Sequence, residues 1–223
     1  MTIDAAAVAG NVAAIRAAIE ARTDRRVSLV AVTKGFDEGA VSAALAAGAD
    51  GVGENYAQEM VAKAAALGPE RPLERERTAV PWHFIGQLQR NKVKVIAPLG
   101  VVLWQTIDRG DLARELARRE TGARVLVQVN TTAEAQKGGC EPSEAPALVE
   151  QCRTLGLAVE GLMTIGPAGE PEDARPGFRL LRRIADDLGL PGCSMGMSAD
   201  FEVAVDEGAT IVRIGSRLFG PRG

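Results

Sequence analysis

Short apolar runs alternate with helical patterns along the chain, and this alternation limits the folds that the sequence can adopt. Eight runs read as β-strands, at 28–33, 50–55, 82–86, 101–107, 124–130, 159–165, 192–197 and 210–215. Seven helical patterns separate them, at 37–48, 56–67, 88–97, 110–120, 143–156, 176–189 and 198–208. Strands that alternate with helices predict βαβ units and a parallel sheet. Eight such units in 223 residues predict a (β/α)8 barrel of the TIM type.

An open, doubly wound sheet is the alternative fold, although it usually has fewer strands. No Gly-x-Gly-x-x-Gly motif opens the first helix, so the dinucleotide-binding version of that fold lacks its main signal. Ahead of the first strand, apolar residues recur at helical spacing, at Val8, Val12, Ile15 and Ile19. We therefore predict one domain over residues 1–223, in which residues 1–24 form an extra helix on the barrel. Two stretches rich in Pro, Gly and charge, 68–80 and 166–177, are predicted to be long loops.

The composition argues against several classes of function. The net charge is −3 and no basic stripe stands out, unlike the pattern of a nucleic-acid-binding protein. No stretch approaches the roughly 20 apolar residues of a membrane span, and the Ala-rich N-terminal segment lacks a signal-peptide pattern. The three cysteines are widely spaced, which predicts neither a zinc site nor a disulfide framework. We therefore expect a protein of the reducing cytoplasm.

A lysine directly follows the first apolar run and raises a question of chemistry. In a barrel of this type, functional side chains lie at the C-terminal ends of the strands. Lys34 occupies that place after the run from Leu29 to Thr33. Partial desolvation there favours the neutral amine, the form that makes a Schiff base with an aldehyde. The alternative is a lysine whose stem packs on the apolar surface while its ammonium group reaches solvent.

Two segments near the C-terminus predict a phosphate site. Ser198 precedes a helical pattern and is suited to be its N-cap, with Asp200 adding charge in the first turn. A helix start offers free backbone N–H groups to an anion. Gly215 and Ser216 follow the last strand, and many barrels bind phosphate after strands 7 and 8. A phosphorylated aldehyde such as pyridoxal 5′-phosphate (PLP) would satisfy both this site and Lys34.

Three further residues are candidates for contact with a flat ligand. Arg213 lies on the last strand between two apolar neighbours that should face the other way; a guanidinium cannot accept a hydrogen bond, so it would keep a pyridine nitrogen unprotonated. The alternative is a structural arginine inside the barrel mouth. His83, the only histidine, is more typical of a hydrogen-bonded core residue than of a base. Met163 either packs against the ligand or only fills the core.

Several motifs resemble one known family. They are LVAVTK, GENYAQE, WHFIGQLQRNKVK, QVNTTAEAQKGG, GLMTIGP and SMGMSADFEVAVDEGATIVRIGSRLFGPR. In order and spacing, from about residue 28 to the C-terminus, they look like those of the pyridoxal-phosphate homeostasis proteins, the YggS/PROSC group. The resemblance implies a single-domain barrel similar to the N-terminal domain of alanine racemase. It also implies that PLP is held as an imine of a lysine.

The resemblance assigns roles to matching positions of this sequence. Lys34 matches the Schiff-base lysine, and Arg213 matches the residue that faces the pyridine nitrogen. The other matched positions line the cofactor or its phosphate: Asn55, Ser194, Ser198, Gly215 and Ser216. Met163 is expected to pack near the cofactor, and Tyr56 and His83 to support the residues that contact it.

The sequence departs from the family pattern at three positions. Gly35 stands where a larger residue is common, Cys193 where an aliphatic residue is usual, and Ser216 where threonine is common. None of these changes removes a functional group from the phosphate site. The glycine, however, is expected to leave the loop after Lys34 less constrained.

Two functions of different classes fit these residues. A racemase of the alanine racemase type needs a second base, a tyrosine from a further β-rich domain; here the only tyrosine is Tyr56, and no residues remain after the last strand for such a domain. An unprotonated pyridine beside Arg213 would also be a weaker electron sink. We therefore favour a non-catalytic, monomeric protein of intracellular PLP homeostasis that stores, buffers or delivers PLP to apo-enzymes. A PLP-dependent amino-acid racemase remains the alternative.

Overall fold

The eight apolar runs form parallel strands in the computed structural model, which describes residues 3–68, 80–132, 134 and 137–221. Each strand pairs with the next one along the chain, and the last pairs back to the first, so the sheet closes into a barrel. The strands are β1 (Ser28–Val32), β2 (Gly51–Glu54), β3 (Trp82–Phe84), β4 (Val101–Ile107), β5 (Arg124–Gln128), β6 (Ala158–Met163), β7 (Gly192–Ser194) and β8 (Ile211–Ile214). The predicted barrel is confirmed, and the open sheet is not observed.

The helices lie outside the barrel and cover its strands. They are α1 (Ala5–Glu20), α2 (Glu38–Ala46), α3 (Ala57–Leu67), α4 (Arg90–Ile96), α5 (Gly110–Arg119), α6 (Ala145–Thr154), α7 (Arg175–Asp187), α8 (Phe201–Asp206) and α9 (Ser216–Phe219). Large apolar side chains such as Trp104, Phe84 and Phe178 fill the layer between sheet and helices. A smaller apolar cluster of Leu103, Leu126 and Met163 lies apart from that layer, inside the barrel.

The extra N-terminal helix packs on the barrel, as its apolar spacing indicates. Its four predicted apolar positions are all buried, namely Val8, Val12, Ile15 and Ile19. Asp4 caps the helix by accepting from the backbone N–H groups of the residues two and three positions ahead. Asn11 donates to the backbone oxygen of Leu218, 2.9 Å away. Arg16 pairs with Asp50 at 2.5 Å. Helix α1 therefore links the start of the barrel to its last helix.

The predicted boundaries differ from the structure mainly after the strands. β7 ends at Ser194, whereas its apolar run was predicted to continue to residue 197. Gly196 has a φ of 91°, and the N–H of Met197 donates to Asp200 Oδ1 at 2.6 Å. This segment is therefore a turn. It begins the loop that returns to the outside of the barrel.

The stretch 166–177 is not the long loop that its composition predicted. Residues Pro171–Ala174 form a turn of 3₁₀-helix, and α7 begins at Arg175. Glu170 and Asp173 form a reciprocal capping box at the start of this turn, which satisfies N–H groups that would otherwise lack partners. The other predicted loop, 68–80, lies almost wholly outside the described residues.

Two inward-facing glycines allow neighbouring strands to approach closely. A Cβ atom built on Gly161 of β6 would lie 2.1 Å from the backbone oxygen of Gly192 on β7. A side chain at residue 161 would therefore collide with backbone rather than with a flexible group. Gly192 also lines a cavity of about 810 Å³ at the N-terminal end of the barrel.

The three cysteines are buried and form no disulfide bonds. Cys140, Cys152 and Cys193 are all free. Burial raises the pKa of these thiols, to about 12 for Cys140 and to about 11 for each of the other two. None of the described helices combines the length and the apolar character that a membrane span requires.

Gly161→Ala should destabilise the fold, because the new methyl group meets the backbone of Gly192. We expect the free energy of unfolding to fall by about 1–3 kcal/mol, the usual cost of overpacking. The matched control is Gly10→Ala on the exposed face of α1, where no atom lies within 4 Å of the added Cβ. Alanine should raise that free energy by about 0.5–1 kcal/mol there, since it is the better helix former. Urea titrations measure both, and equal effects would contradict this account of the barrel interior.

Candidate functional site

Lys34 lies in a tight turn directly after β1. The N–H of Phe36 donates to the backbone oxygen of Thr33 at 3.0 Å and closes this turn. Lys34 itself is half-buried. Gly35 has a φ of 79°, a conformation that favours glycine, and this is a physical reason for glycine after the lysine. Its N–H donates to Glu59 Oε2 at 2.8 Å, so the turn is held from outside despite its glycine.

A buried ion pair lies beneath the Lys34 turn. Lys63 of α3 donates to Glu54 Oε1 of β2 at 2.5 Å, and these side chains are 5% and 0% exposed. Lys63 also donates to the backbone oxygen of Thr33 at 2.7 Å, and the Thr33 hydroxyl donates to Glu54 Oε1 at 2.5 Å. Burial raises the pKa of Glu54, while Lys63 acts in the opposite direction. The sequence analysis had not singled out Lys63.

Arg213 is buried inside the barrel, as predicted from its apolar neighbours. It is 3% exposed, while Val212 and Ile214 face the layer between sheet and helices. Its Nη1 donates to Ser194 Oγ at 2.6 Å, and its Nη2 donates to the backbone oxygen of Thr164 at 2.7 Å. Burial lowers the pKa of Arg213 to about 10, so the guanidinium stays charged at neutral pH.

A chain of hydrogen bonds extends from Arg213 across the barrel. Ser194 Oγ donates to Gln105 Oε1 at 2.6 Å, and Gln105 Nε2 lies 2.8 Å from His83 Nδ1. Because Ser194 donates to the amide oxygen, the amide nitrogen faces His83 and donates to it. The histidine proton therefore lies on Nε2. Burial lowers the pKa of His83 to about 4, and the charge of Arg124 acts in the same direction.

The hydrogen bond of His83 agrees with the favoured interpretation, although its side chain is half-buried and lines the cavity at the N-terminal end of the barrel. Gln105 is fully buried and links His83 to Ser194; it stands near the end of a predicted strand, but no role was assigned to it. The sequence did carry a sign of this role, because Gln105 is an uncharged polar residue inside the apolar run VVLWQTI of β4. Thr164, whose backbone oxygen binds Arg213, also stands at a predicted strand end without an assigned role, since no side-chain pattern marks a carbonyl group.

Ser198 does not cap α8, contrary to the prediction. The helix begins at Phe201 after Asp200, and Asp200 makes no capping bond to it because its Oδ1 accepts from Met197. Ser198 instead reaches the turn after β8. Its Oγ accepts from the backbone N–H groups of Gly215 and Arg217, each at 3.3 Å. Residues 198 and 215, which were predicted to belong to one phosphate site, therefore do lie together. Ser198 reaches Gly215 through its hydroxyl and does not cap a helix.

The remaining candidates occupy unlike environments. Asn55 follows β2, and its Oδ1 is buried without a hydrogen-bond partner among the described residues. Met163 is fully buried inside the barrel with Leu103 and Leu126. Ser216 begins α9 and is exposed. Tyr56 stands just before α3 with 57% of its surface exposed.

The mouth therefore combines an amine, a buried guanidinium and a group of N–H donors. Lys34 follows β1, Arg213 lies on β8, and Ser198 gathers the amides of the turn after β8. The orphan Asn55 oxygen adds an acceptor. Within the described ranges, no group of three or more His, Cys, Asp or Glu residues is arranged to hold a metal ion.

Comparison with known proteins adds a further set of observations. The family model described as alanine racemase, N-terminal domain, matches residues 3–223. The pyridoxal phosphate homeostasis protein of Aquifex aeolicus is 48% identical over 182 residues, which is 76% of each chain. The protein of the same name from Pseudomonas aeruginosa is 41% identical over 226 residues, covering 96% of this chain and 94% of that one. PipY of Synechococcus elongatus, solved with PLP bound, has a TM-score of 0.80 and 30% identity, covering 96% of this chain and 100% of PipY.

His83→Asn should change how stability depends on pH. The folded pKa of about 4 lies below the ordinary value of 6.5, so the unfolded chain binds more protons between these pH values. The wild type therefore loses stability as pH falls from 6.5 to 4. Asparagine keeps an acceptor for Gln105 but does not titrate, so the variant should lose less over this window.

Urea unfolding at several pH values measures this difference. The carboxylates are common to both proteins, so their contribution cancels in the comparison. Parallel curves for wild type and variant would contradict the account of His83 as a neutral core residue.

Proposed function

The chain belongs to the alanine racemase N-terminal domain family and, within it, to the pyridoxal phosphate homeostasis proteins, and on this premise we propose that it binds PLP and acts in PLP homeostasis. Its role is to store, buffer or deliver the cofactor. The observation that carries the proposal is the meeting, at one barrel mouth, of Lys34, the Arg213–Ser194 pair and the donors around Ser198.

Lys34 is proposed to hold PLP covalently as an imine. Its amine nitrogen replaces the aldehyde oxygen of PLP, and that oxygen leaves as water. A lysine in a half-buried turn at a strand end suits this role, because partial desolvation favours the neutral amine. Bound PLP would supply the aldehyde and an electron-withdrawing pyridine ring.

The turn after β8 is proposed to bind the phosphate. The N–H groups of Gly215 and Arg217 lie 3.3 Å from Ser198 Oγ, beyond the usual length of such bonds. An anion offers these donors a stronger, charge-assisted acceptor. The Ser198 hydroxyl can donate to the same anion, and exposed Ser216 stands beside it.

Three other candidates are assigned to the ring and its surroundings. Arg213 faces the pyridine nitrogen; it cannot accept a hydrogen bond, so it keeps that nitrogen unprotonated. Asn55 and Met163 complete the contacts around the ring. The buried Asn55 oxygen, which lacks a partner in the described part of the chain, supports a polar contact with a ligand.

A carrier fits these residues better than a racemase. Arg213 retains its charge inside the barrel, so the ring that it faces is a weak sink for electrons. Tyr56 is mostly exposed, which argues against a fixed base opposite Lys34. We further propose that residues 1–223 act as one monomeric PLP-binding domain in the cytoplasm, with 1–24 as its N-terminal helix. Apo-enzymes that need PLP are its proposed partners.

Lys34→Ala should abolish the imine. Purified wild-type protein mixed with PLP should show an absorption band near the visible edge, and borohydride should fix the ligand to a peptide containing Lys34. The variant should show neither, since it lacks the only amine proposed to form the bond. Lys94→Ala, on the exposed side of α4, is the matched control and should behave as wild type. A wild-type protein that stays colourless with PLP would refute the proposal.

Loaded protein should transfer PLP without racemising amino acids. Incubation with a PLP-requiring apo-enzyme should restore that enzyme's activity, and the band of the carrier should fall in parallel. Incubation with each L-amino acid should yield no D-isomer by chiral chromatography. Turnover of about 1 s⁻¹ or more, a common enzyme range, would instead establish the racemase alternative.

A further inference from the structure

We propose that Glu54, Glu59 and Lys63 are positioning residues that hold the Lys34 turn in the place from which its amine reaches PLP. This inference rests on the proposed function. Glu59 and Lys63 were not candidates from the sequence, and Glu54, at the end of a predicted strand, had no role assigned to it. None is proposed to touch the ligand.

Two of the three side chains, Lys63 and Glu59, bind the backbone on either side of Lys34, and Glu54 accepts from the Thr33 hydroxyl. Before it, Lys63 Nζ donates to the oxygen of Thr33 at 2.7 Å. After it, the N–H of Gly35 donates to Glu59 Oε2 at 2.8 Å. Lys63 Nζ also lies 3.6 Å from Glu59 Oε2, so one cation joins the two attachments. The residue between them is the proposed Schiff-base lysine.

The side chains that hold the Lys34 turn belong to elements other than β1, the strand that leads into it. Glu54 ends β2, whereas Glu59 and Lys63 lie one helical turn apart on α3. The Thr33 hydroxyl donates to Glu54 Oε1, which also accepts from Lys63. Strand β2 and helix α3 therefore fix the position of the turn that follows β1.

The buried pair of Glu54 and Lys63 contributes to the position of the Lys34 turn rather than to the stability of the fold. Taking two charges out of water costs about as much as their attraction returns, so an apolar pair of similar size is often equally stable. Hydrogen bonds, unlike apolar contacts, require one direction. Gly35 allows its turn many conformations, so a fixed Lys34 needs such directional contacts.

Two variants test the inference without leaving an unpaired buried charge. Glu59→Ala removes the carboxylate that accepts from Gly35, on a side chain that is 34% exposed. The double variant Glu54→Leu with Lys63→Met replaces both members of the buried pair by apolar groups. Each variant is first compared with wild type by thermal unfolding, and both are expected to fold.

Two ligands separate the Lys34 bond from the phosphate contacts. PLP can form the imine, whereas pyridoxine 5′-phosphate carries an alcohol in place of the aldehyde and cannot. We expect both variants to bind PLP about tenfold more weakly, the size of one lost charge-assisted hydrogen bond, with slower appearance of the imine band. Their affinity for pyridoxine 5′-phosphate should stay at the wild-type value.

Two further variants serve as controls. Ser198→Ala should weaken both ligands, because it alters the proposed phosphate site. Glu115→Ala makes the same chemical change as Glu59→Ala on α5, where the carboxylate binds Arg118 and Arg119, and should change neither affinity.

The outcomes separate this inference from the proposed function. If wild type forms the imine and the positioning variants match it, the inference is wrong and the proposed function stands. Equal weakening of both ligands would also overturn it, because the effect would then not be specific to Lys34. If wild type itself forms no imine, the proposed function fails first.

Discussion

The pairing of β8 with β1 is the constraint on which the rest of the site depends. In this parallel pair Val30 lies opposite Arg213 and Ala31 opposite Ile214. The turn after β1 is thereby brought beside the turn after β8, although Gly215 comes 181 positions after Lys34 in the sequence. The approach is close, since a Cβ on Gly215 would lie 3.3 Å from the backbone oxygen of Val32. An open sheet made of the same strands would leave these two turns at opposite edges.

Closure also creates an interior in which polar groups must find partners. A buried donor or acceptor without a partner costs about 1–3 kcal/mol. The chain from His83 through Gln105 and Ser194 to Arg213 avoids this cost, since each member binds the next. The same bonds fix the direction of the guanidinium. Stability and the orientation of the buried guanidinium therefore depend on one set of contacts.

The features that could be predicted from the sequence are those that short-range patterns determine. Periodicity predicted the strands and the apolar face of α1, and the residues directly after the first and last apolar runs, Lys34, Gly215 and Ser216, indicated the turns at the mouth. The start of α8 was predicted wrongly because the Ser198 hydroxyl binds the turn after β8, a contact between distant parts of the chain, while Asp200 binds Met197. Lys63 was missed for a different reason. Its position in an Ala-rich helix reads as solvent-facing, and only the fold shows that Thr33 and Glu54 surround it.

The proposed function assigns the aldehyde and the phosphate of PLP to two different turns at the barrel mouth. The β1 turn, supported by β2 and α3, holds the aldehyde end; β8 and the turn after it hold the ring nitrogen and the phosphate. A ligand attached at two places re-forms one attachment while the other persists, because the free end stays at high local concentration. Hydrolysis of the lysine bond alone would then leave PLP in the site, while a competing amine could take the aldehyde. Slow loss to water with transfer to another amine is the behaviour expected of a carrier, and under the proposed function the two independent attachments, at Lys34 and at the phosphate donors, would provide it.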